Sequence, residues 1–84
     1  MVEKETTVGA PEGLHARPAA EFVKAAKGYS SDIRVLKDGR EANAKSSMHL
    51  MTLGAKQGER LIIRAAGEDE AAAAEALATL ISEG

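Results

Sequence analysis

Gly13-Leu14-His15-Ala16-Arg17-Pro18 is where this chain concentrates groups able to do chemistry. His15 supplies an imidazole, a nitrogen nucleophile whose charge changes close to physiological pH. Arg17 adds a permanent positive charge and a planar fork of donors that matches phosphate. Pro18 has a fixed φ and no N–H, so it belongs in a first helical turn rather than further in. Residues 19–26 follow with good helix formers. His15 therefore falls at or beside an N-cap, and the opening turn of Ala16, Arg17 and Pro18 forms the helix N-terminus. Such an end binds anions through its free N–H groups and the helix dipole. It disfavours imidazolium, which leaves a neutral nucleophile, and it favours a phosphate dianion once one is formed. A lone histidine in a loop is usually a cap or surface decoration, and a lone arginine a solvated charge. Their combination at a helix start forms a site where a phosphoryl group could sit on His15, beside the plainer reading of a capping histidine and a surface charge.

A second cluster lies in Asn43-Ala44-Lys45-Ser46-Ser47-Met48-His49-Leu50-Met51-Thr52-Leu53-Gly54. Ser46 has the N-cap side chain of a short helix over residues 47–53, closed by Gly54. Leu50 and Leu53 supply the core face of that helix. Met48 and Met51 point elsewhere. Methionine is ordinary core filler, but two turns of helix cannot bury every side, so this pair also reads as an adaptable contact patch. Ser46 is first of all a cap, and it is also where a helix end would favour an added phosphate. Lys24 and Lys27 extend the polar face of the preceding helix and, with Arg17, form a modest positive rim for acidic partners. No metal site is expected, because His15 and His49 have no third histidine and no cysteine to join them.

These side chains need elements to hold them. Residues 2–8 read as a strand with β-branched residues in its second half, and residues 9–13 as a glycine- and proline-marked loop. The first helix spans residues 16–27, with Ala16, Ala19, Ala20, Val23 and Ala26 as its apolar stripe and Gly28 as its stop. Residues 32–37 alternate, with Ile33 and Val35 on one face. Asp38-Gly39 is a two-residue hairpin signal, and residues 40–44 return. After the short helix, Gln57-Gly58 turns the chain into a strand over residues 60–66, with Leu61, Ile63 and Ala65 inward. Glu68, Asp69 and Glu70 suit a helix start by the dipole alone, and Ala73, Leu77, Leu80 and Ile81 form the stripe of that last helix. The order β-α-β-β-α-β-α implies a two-layer α+β fold with the helices on one sheet face. Arg34, Glu41 and Arg64 face water on the other.

The chain has 84 residues and reads as one domain over residues 1–84, with one small core. Its net charge is −2 and its only aromatics are Phe22 and Tyr29. That argues against direct nucleic-acid binding, which needs a basic patch and stacking platforms. It has no cysteine, so thiol, disulfide and zinc–thiolate chemistry are excluded. No apolar run approaches the ~18 residues of a membrane span, so no membrane insertion is expected. The first residues lack a signal-peptide core, and the expected location is cytoplasmic.

The chain resembles the HPr family, the histidine-containing phosphocarriers of the bacterial phosphoenolpyruvate-dependent sugar phosphotransferase system. The resemblance covers essentially the whole chain. It rests on Gly13-Leu14-His15-Ala16-Arg17-Pro18-Ala19, Asn43-Ala44-Lys45-Ser46, the Met48, Met51, Leu53-Gly54 pattern and Gly67-Glu68-Asp69-Glu70. It implies an open-faced β-sandwich, a four-stranded antiparallel sheet with three helices on one face. It also implies a cofactor-free phosphoryl carrier rather than a stand-alone enzyme. His15 would accept phosphate on Nδ1 from phosphorylated enzyme I and pass it to a sugar-specific IIA domain, with Arg17 stabilising the transferred group. Partners would dock on Arg17, Ala20, Lys24, Lys27, Ser47, Met48, His49 and Met51. In some relatives the serine matching Ser46 is phosphorylated by HPr kinase/phosphorylase, and the product binds a catabolite-control transcription factor. Ser47 replaces a usual apolar residue of the family, and His49 a usual glycine or lysine.

The carrier reading expects a monomer. Other readings stand beside it: a regulatory protein acting only through Ser46, a carrier of the nitrogen-related branch, and a small α+β module without covalent chemistry. An intact His15 argues against the purely regulatory form, and Ser46 with the methionine pair favours the sugar branch over the nitrogen-related one. Phosphate lability separates carrier from serine-modified or unmodified forms, since phosphohistidine is lost in acid and phosphoserine is not.

Overall fold

A computed structural model describes residues 1–83. The chain runs β1 (Val2–Thr7), α1 (Ala16–Ala26), β2 (Asp32–Lys37), β3 (Arg40–Asn43), α2 (Ser47–Met51), β4 (Arg60–Ala66) and α3 (Glu70–Glu83). The strands form one antiparallel sheet in the order β1-β4-β2-β3. The central strands carry the apolar alternation. Ile33 and Val35 of β2, and Leu61, Ile63 and Ala65 of β4, are all buried on the helical side. Paired across the strands, Val35 sits opposite Ile63 and Ile33 opposite Ala65, so the register puts every inward side chain into one layer. The outer face pairs Glu3 with Arg64 at 2.7 Å and brings Glu41 to 3.8 Å from the same guanidinium. It is the open, wet face of the sandwich.

The turn between β2 and β3 has both central residues left-handed, Asp38 at φ +49° and Gly39 at φ +80°. Lys37 pairs with Arg40. This is the mirror-image turn whose twist matches a hairpin.

Two apolar assignments change in three dimensions. The buried stripe of α1 is Ala19, Phe22, Val23 and Ala26, while Ala16 and Ala20 are exposed. The alanine spacing marks a face rotated from the buried one, because an alanine adds little burial and the helix turns to bury its largest ring. α1 also ends without a left-handed glycine. Lys27 stays right-handed, and the Lys27 and Gly28 amides bond back to Val23 and Ala25. Several elements are shorter than their sequence patterns. β1 stops at Thr7 rather than residue 8, β3 at Asn43 rather than 44, and α2 at Met51 rather than 53. The residues beyond them, Val8, Ala44 and Leu53, stay buried, so apolar patterning reports the core and not the hydrogen-bond ladder.

The acidic start of α3 does more than answer a dipole. Asp69 accepts hydrogen bonds from the Ser30 amide at 2.9 Å, the Ser31 amide at 3.0 Å and the Ser31 hydroxyl. It thereby ties the start of α3 to the entry of β2. Gly67, at φ +154°, makes this approach possible, since a Cβ there would lie 2.8 Å from the Ser31 Cα. The Ser31 hydroxyl first, and then the Ser30 amide, hold the Asp69 carboxyl below its usual 3.8. A carboxylate with a lowered folded-state pKa stabilises the fold above its unfolded value, and that stabilisation fades as pH falls through the folded one. Asp69→Asn is therefore expected to lower the melting temperature at pH 7. The gap to the unsubstituted chain should persist down to about pH 5 and close in stronger acid. Thermal unfolding followed by circular dichroism across pH checks this; a gap that stays constant into acid would assign the loss to packing instead.

Candidate functional site

His15 is the N-cap residue of α1, with extended backbone (φ −87°, ψ −169°) and no hydrogen bond from its ring to the helix end. Its carbonyl accepts the Ala19 amide at 3.0 Å, starting the helical ladder. Ahead of that bond, Ala16 and Arg17 occupy the first turn, where amides have no intrahelical acceptor. Pro18 has no amide to satisfy. The proline thus removes one orphan donor while its φ sets the helix direction, and two amides remain at the end where the imidazole sits.

The ring lines a surface pocket of about 380 Å³ with Pro11, Glu12, Arg17, Pro18 and Glu21. The His15 side chain is 44 % exposed, and its Nε2 lies 3.6 Å from a Glu12 carboxylate oxygen. Nδ1 is the ring nitrogen not turned to Glu12. A nucleophile and a guanidinium-bearing residue therefore line one wet pocket, large enough for a tetrahedral anion, at the helix start. Composition and spacing drew attention to His15 and Arg17 but not to Glu12 or Glu21. The signal for Glu12 was its place three residues before His15, in a loop whose path the sequence does not fix.

That path is fixed by a neighbouring segment. The Leu14 amide donates to the Ala55 carbonyl at 2.9 Å. Gly13 stands at φ +78°, and a Cβ on it would collide with the same Ala55 carbonyl oxygen and meet the Lys56 Cα at 3.0 Å. Only glycine satisfies both the backbone conformation and the close approach. At the other end of the helix pair, the Lys45 ammonium donates to the Tyr29 carbonyl at 3.0 Å. The chain is tied just before α1 to the segment after α2, and just after α1 to the segment before α2.

Around α2, the Ser46 hydroxyl accepts the His49 amide at 3.2 Å, so Ser46 is the N-cap. The His49 Nδ1 accepts the Asn43 amide at 3.0 Å, and the Asn43 side-chain oxygen accepts the Lys45 amide at 2.9 Å. Leu50 and Leu53 are buried, whereas Met48 is 76 % and Met51 41 % exposed. An open pocket of about 470 Å³ brings Ser46, Met48 and His49 together with Asn43 and Thr52. Ser47 is half-buried beside it. Ala20, Lys24 and Lys27 are exposed along α1 and its C-cap and line neither pocket. Among the described residues no three histidine, cysteine or acidic side chains gather where a metal could bind, and no helix is long and apolar enough to cross a membrane.

Similar sequences and the same fold occur in known proteins. The family described as "PTS HPr component phosphorylation site" matches residues 2–83. The phosphocarrier protein HPr of Borreliella burgdorferi is 51 % identical over 81 residues, covering 96 % of this chain and 94 % of that protein. The crystal structure of HPr-C-His from Thermoanaerobacter tengcongensis superposes with a TM-score of 0.91 at 47 % identity, covering 96 % of this chain and 91 % of that one. Crh of Bacillus subtilis, described as a catabolite repression protein that forms a domain-swapped dimer, gives a TM-score of 0.81 at 44 % identity over 99 % of this chain and 95 % of that one. The α+β open-faced sandwich, the histidine at its helix end and these likenesses converge, and the chain belongs to the HPr phosphocarrier family of the phosphotransferase system.

Proposed function

We propose that the 84 residues act as one cytoplasmic carrier unit that takes a phosphoryl group onto His15 from phosphorylated enzyme I and delivers it to a sugar-specific IIA domain. The observation that carries this reading is a solvent-open N-cap imidazole, free of any capping bond, in one pocket with Arg17. The lone pair on Nδ1 attacks phosphorus while the bond from phosphorus to the donor nitrogen breaks. In the second transfer His15 is the leaving group. The Ala16 and Arg17 amides and the Arg17 guanidinium offset the charge on the phosphoryl oxygens in both directions. The pocket lies at the surface, which suits a group that must be handed on and not retained. The carrier itself contributes position and charge, the main terms in phosphoryl transfer, and it uses no cofactor.

Docking of both partners fits the face formed by Arg17, Ala20, Lys24, Lys27, Ser47, Met48, His49 and Met51. Its exposed methionines supply adaptable apolar contact, and its basic residues favour acidic partners. One copy of the chain supplies both His15 and Arg17, so the shuttle needs only a monomer, even though the related Crh is described as a dimer.

A second role, regulation through Ser46, is favoured by one observation. The hydroxyl that caps α2 opens on the same pocket as Met48 and His49. Phosphorylation there by HPr kinase/phosphorylase would add about −1.5 to −2 charges beside the docking patch. That would weaken acidic partners and favour a basic one such as a catabolite-control transcription factor.

Incubation with phosphoenolpyruvate and enzyme I should add one acid-labile phosphoryl mass to the chain, and His15→Ala should fold normally and take up none. A variant that still gains the label would overturn the assignment. Arg17→Ala should slow transfer by about tenfold or more, through loss of a charged hydrogen-bonding group. Its stability should stay within about 0.5 kcal/mol. Stopped-flow transfer and chemical denaturation read the two quantities, and an unchanged rate removes Arg17 from the mechanism. Ser46→Asp should weaken enzyme I binding severalfold in titration calorimetry without changing the far-ultraviolet spectrum. Equal affinity of the two forms would remove the regulatory role.

A further inference from the structure

From the contact between Glu12 and the ring we infer that Glu12 is a positioning residue for His15: its carboxylate holds a proton on Nε2, so that Nδ1 takes up phosphate as a lone-pair nucleophile and gives it up as a neutral leaving group. The proposal rests on the carrier reading above and extends it to a residue outside the histidine–arginine pair.

A neutral imidazole carries its proton on one nitrogen and a lone pair on the other, and neighbours decide which. In this structure the nitrogen facing an acceptor is Nε2, 3.6 Å from the Glu12 carboxylate. That is ion-pair range and just beyond a formed hydrogen bond, and catalytic contacts of this kind commonly tighten once the charged state or complex forms. No side-chain hydrogen bond of the ring to the helix end competes for it. Glu12 is held near the ring through the backbone. The Gly13 amide bonds to Ala10 at 2.9 Å, the His15 amide to Gly13 at 3.0 Å and the Leu14 amide to Ala55 at 2.9 Å. These bonds set the turn that carries Glu12 back over His15.

The charged residues lining this pocket with His15 are Glu12, Arg17 and Glu21. Arg17 suits the phosphoryl oxygens. A carboxylate in the same pocket would oppose phosphate unless it served another atom, and the atom it meets is Nε2. With phosphate on Nδ1 and a proton on Nε2, the ring is a phosphorylated imidazolium. When an acceptor nitrogen or a water oxygen attacks phosphorus, the P–Nδ1 bond breaks, its electron pair stays on Nδ1, and the proton stays on Nε2. The ring leaves as neutral imidazole. Without the Nε2 proton it would have to leave as imidazolate, a far poorer leaving group. Glu12 favours the protonated form and so keeps the P–N bond transferable.

The test compares the unsubstituted chain with Glu12→Gln, which keeps size and an acceptor oxygen but loses the charge, and with Glu21→Gln, which removes the other pocket carboxylate. All three are phosphorylated with phosphoenolpyruvate and enzyme I, and two quantities are read at pH 7. Nitrogen-15 spectra of phosphorylated His15 report protonation of Nε2, and phosphorus-31 signals report loss of the phosphoryl group to water. Glu12→Gln should show less Nε2 protonation and slower loss, by about two- to fivefold, the size of an exposed charge pair. Glu21→Gln, which has no contact with Nε2, should leave Nε2 protonation as in the unsubstituted chain. Equal protonation and equal rates in Glu12→Gln would overturn the proposal, as would the same change in Glu21→Gln, which would assign the effect to overall pocket charge. Failure of all three chains to take up phosphate would instead overturn the carrier reading, and this proposal with it.

Discussion

The contact on which the site depends is the one between the loop at Gly13-Leu14 and the segment at Ala55-Lys56. A backbone hydrogen bond joins Leu14 to Ala55, and the glycine beside it has no room for a side chain. Because His15 follows immediately, this approach sets where the imidazole stands at the end of α1. It also sets how the start of α1 lies against the end of α2. The Lys45–Tyr29 bond repeats the tie at the opposite ends. The helix pair is therefore clamped at both ends, which fixes the His15 pocket relative to the methionine patch.

The sheet serves that face by absorbing the apolar residues the helices need to cover. Its inward layer is a narrow set of isoleucine, valine, leucine and alanine, in register across β4 and β2. With so few aromatics, Phe22 is the one large ring in the core, and its burial dictates the rotation of α1. The rotation has a functional side. It turns Ala16, Arg17, Ala20 and Lys24 outward as a strip running from the histidine along the helix. A different face inward would have buried part of the strip beside His15.

Around His15 the electrostatics are divided between atoms instead of averaged over a patch. Arg17 lines the pocket beside the imidazole, and Glu12 faces its Nε2. Opposite charges can share one small pocket when only one of them addresses the ring. α2 shows a comparable economy. His49 uses its amide to complete the Ser46 cap and its ring to hold the Asn43 amide, so it is built into the loop it occupies.

By itself the sequence determined the element order, the hairpin at Asp38-Gly39, the helix start at Pro18 and the cap at Ser46, and with them the pairing of His15 with Arg17. Each is a local signal: a fixed φ, a missing amide, a short side chain able to bond its own backbone, or an alternation of apolar residues. Tertiary structure alone decided which face of α1 is buried, because alanine spacing is nearly degenerate around a helix and only packing of Phe22 selects among rotations. It decided that Asp69 reaches Ser30 and Ser31 across 38 and more residues, where local reasoning saw only a helix dipole. It decided the place of Glu12, since a loop of glycine and proline leaves many paths open until Gly13 meets Ala55. Signals carried by neighbours along the chain were legible in advance; those carried by contacts between distant segments had to wait for the fold that creates them.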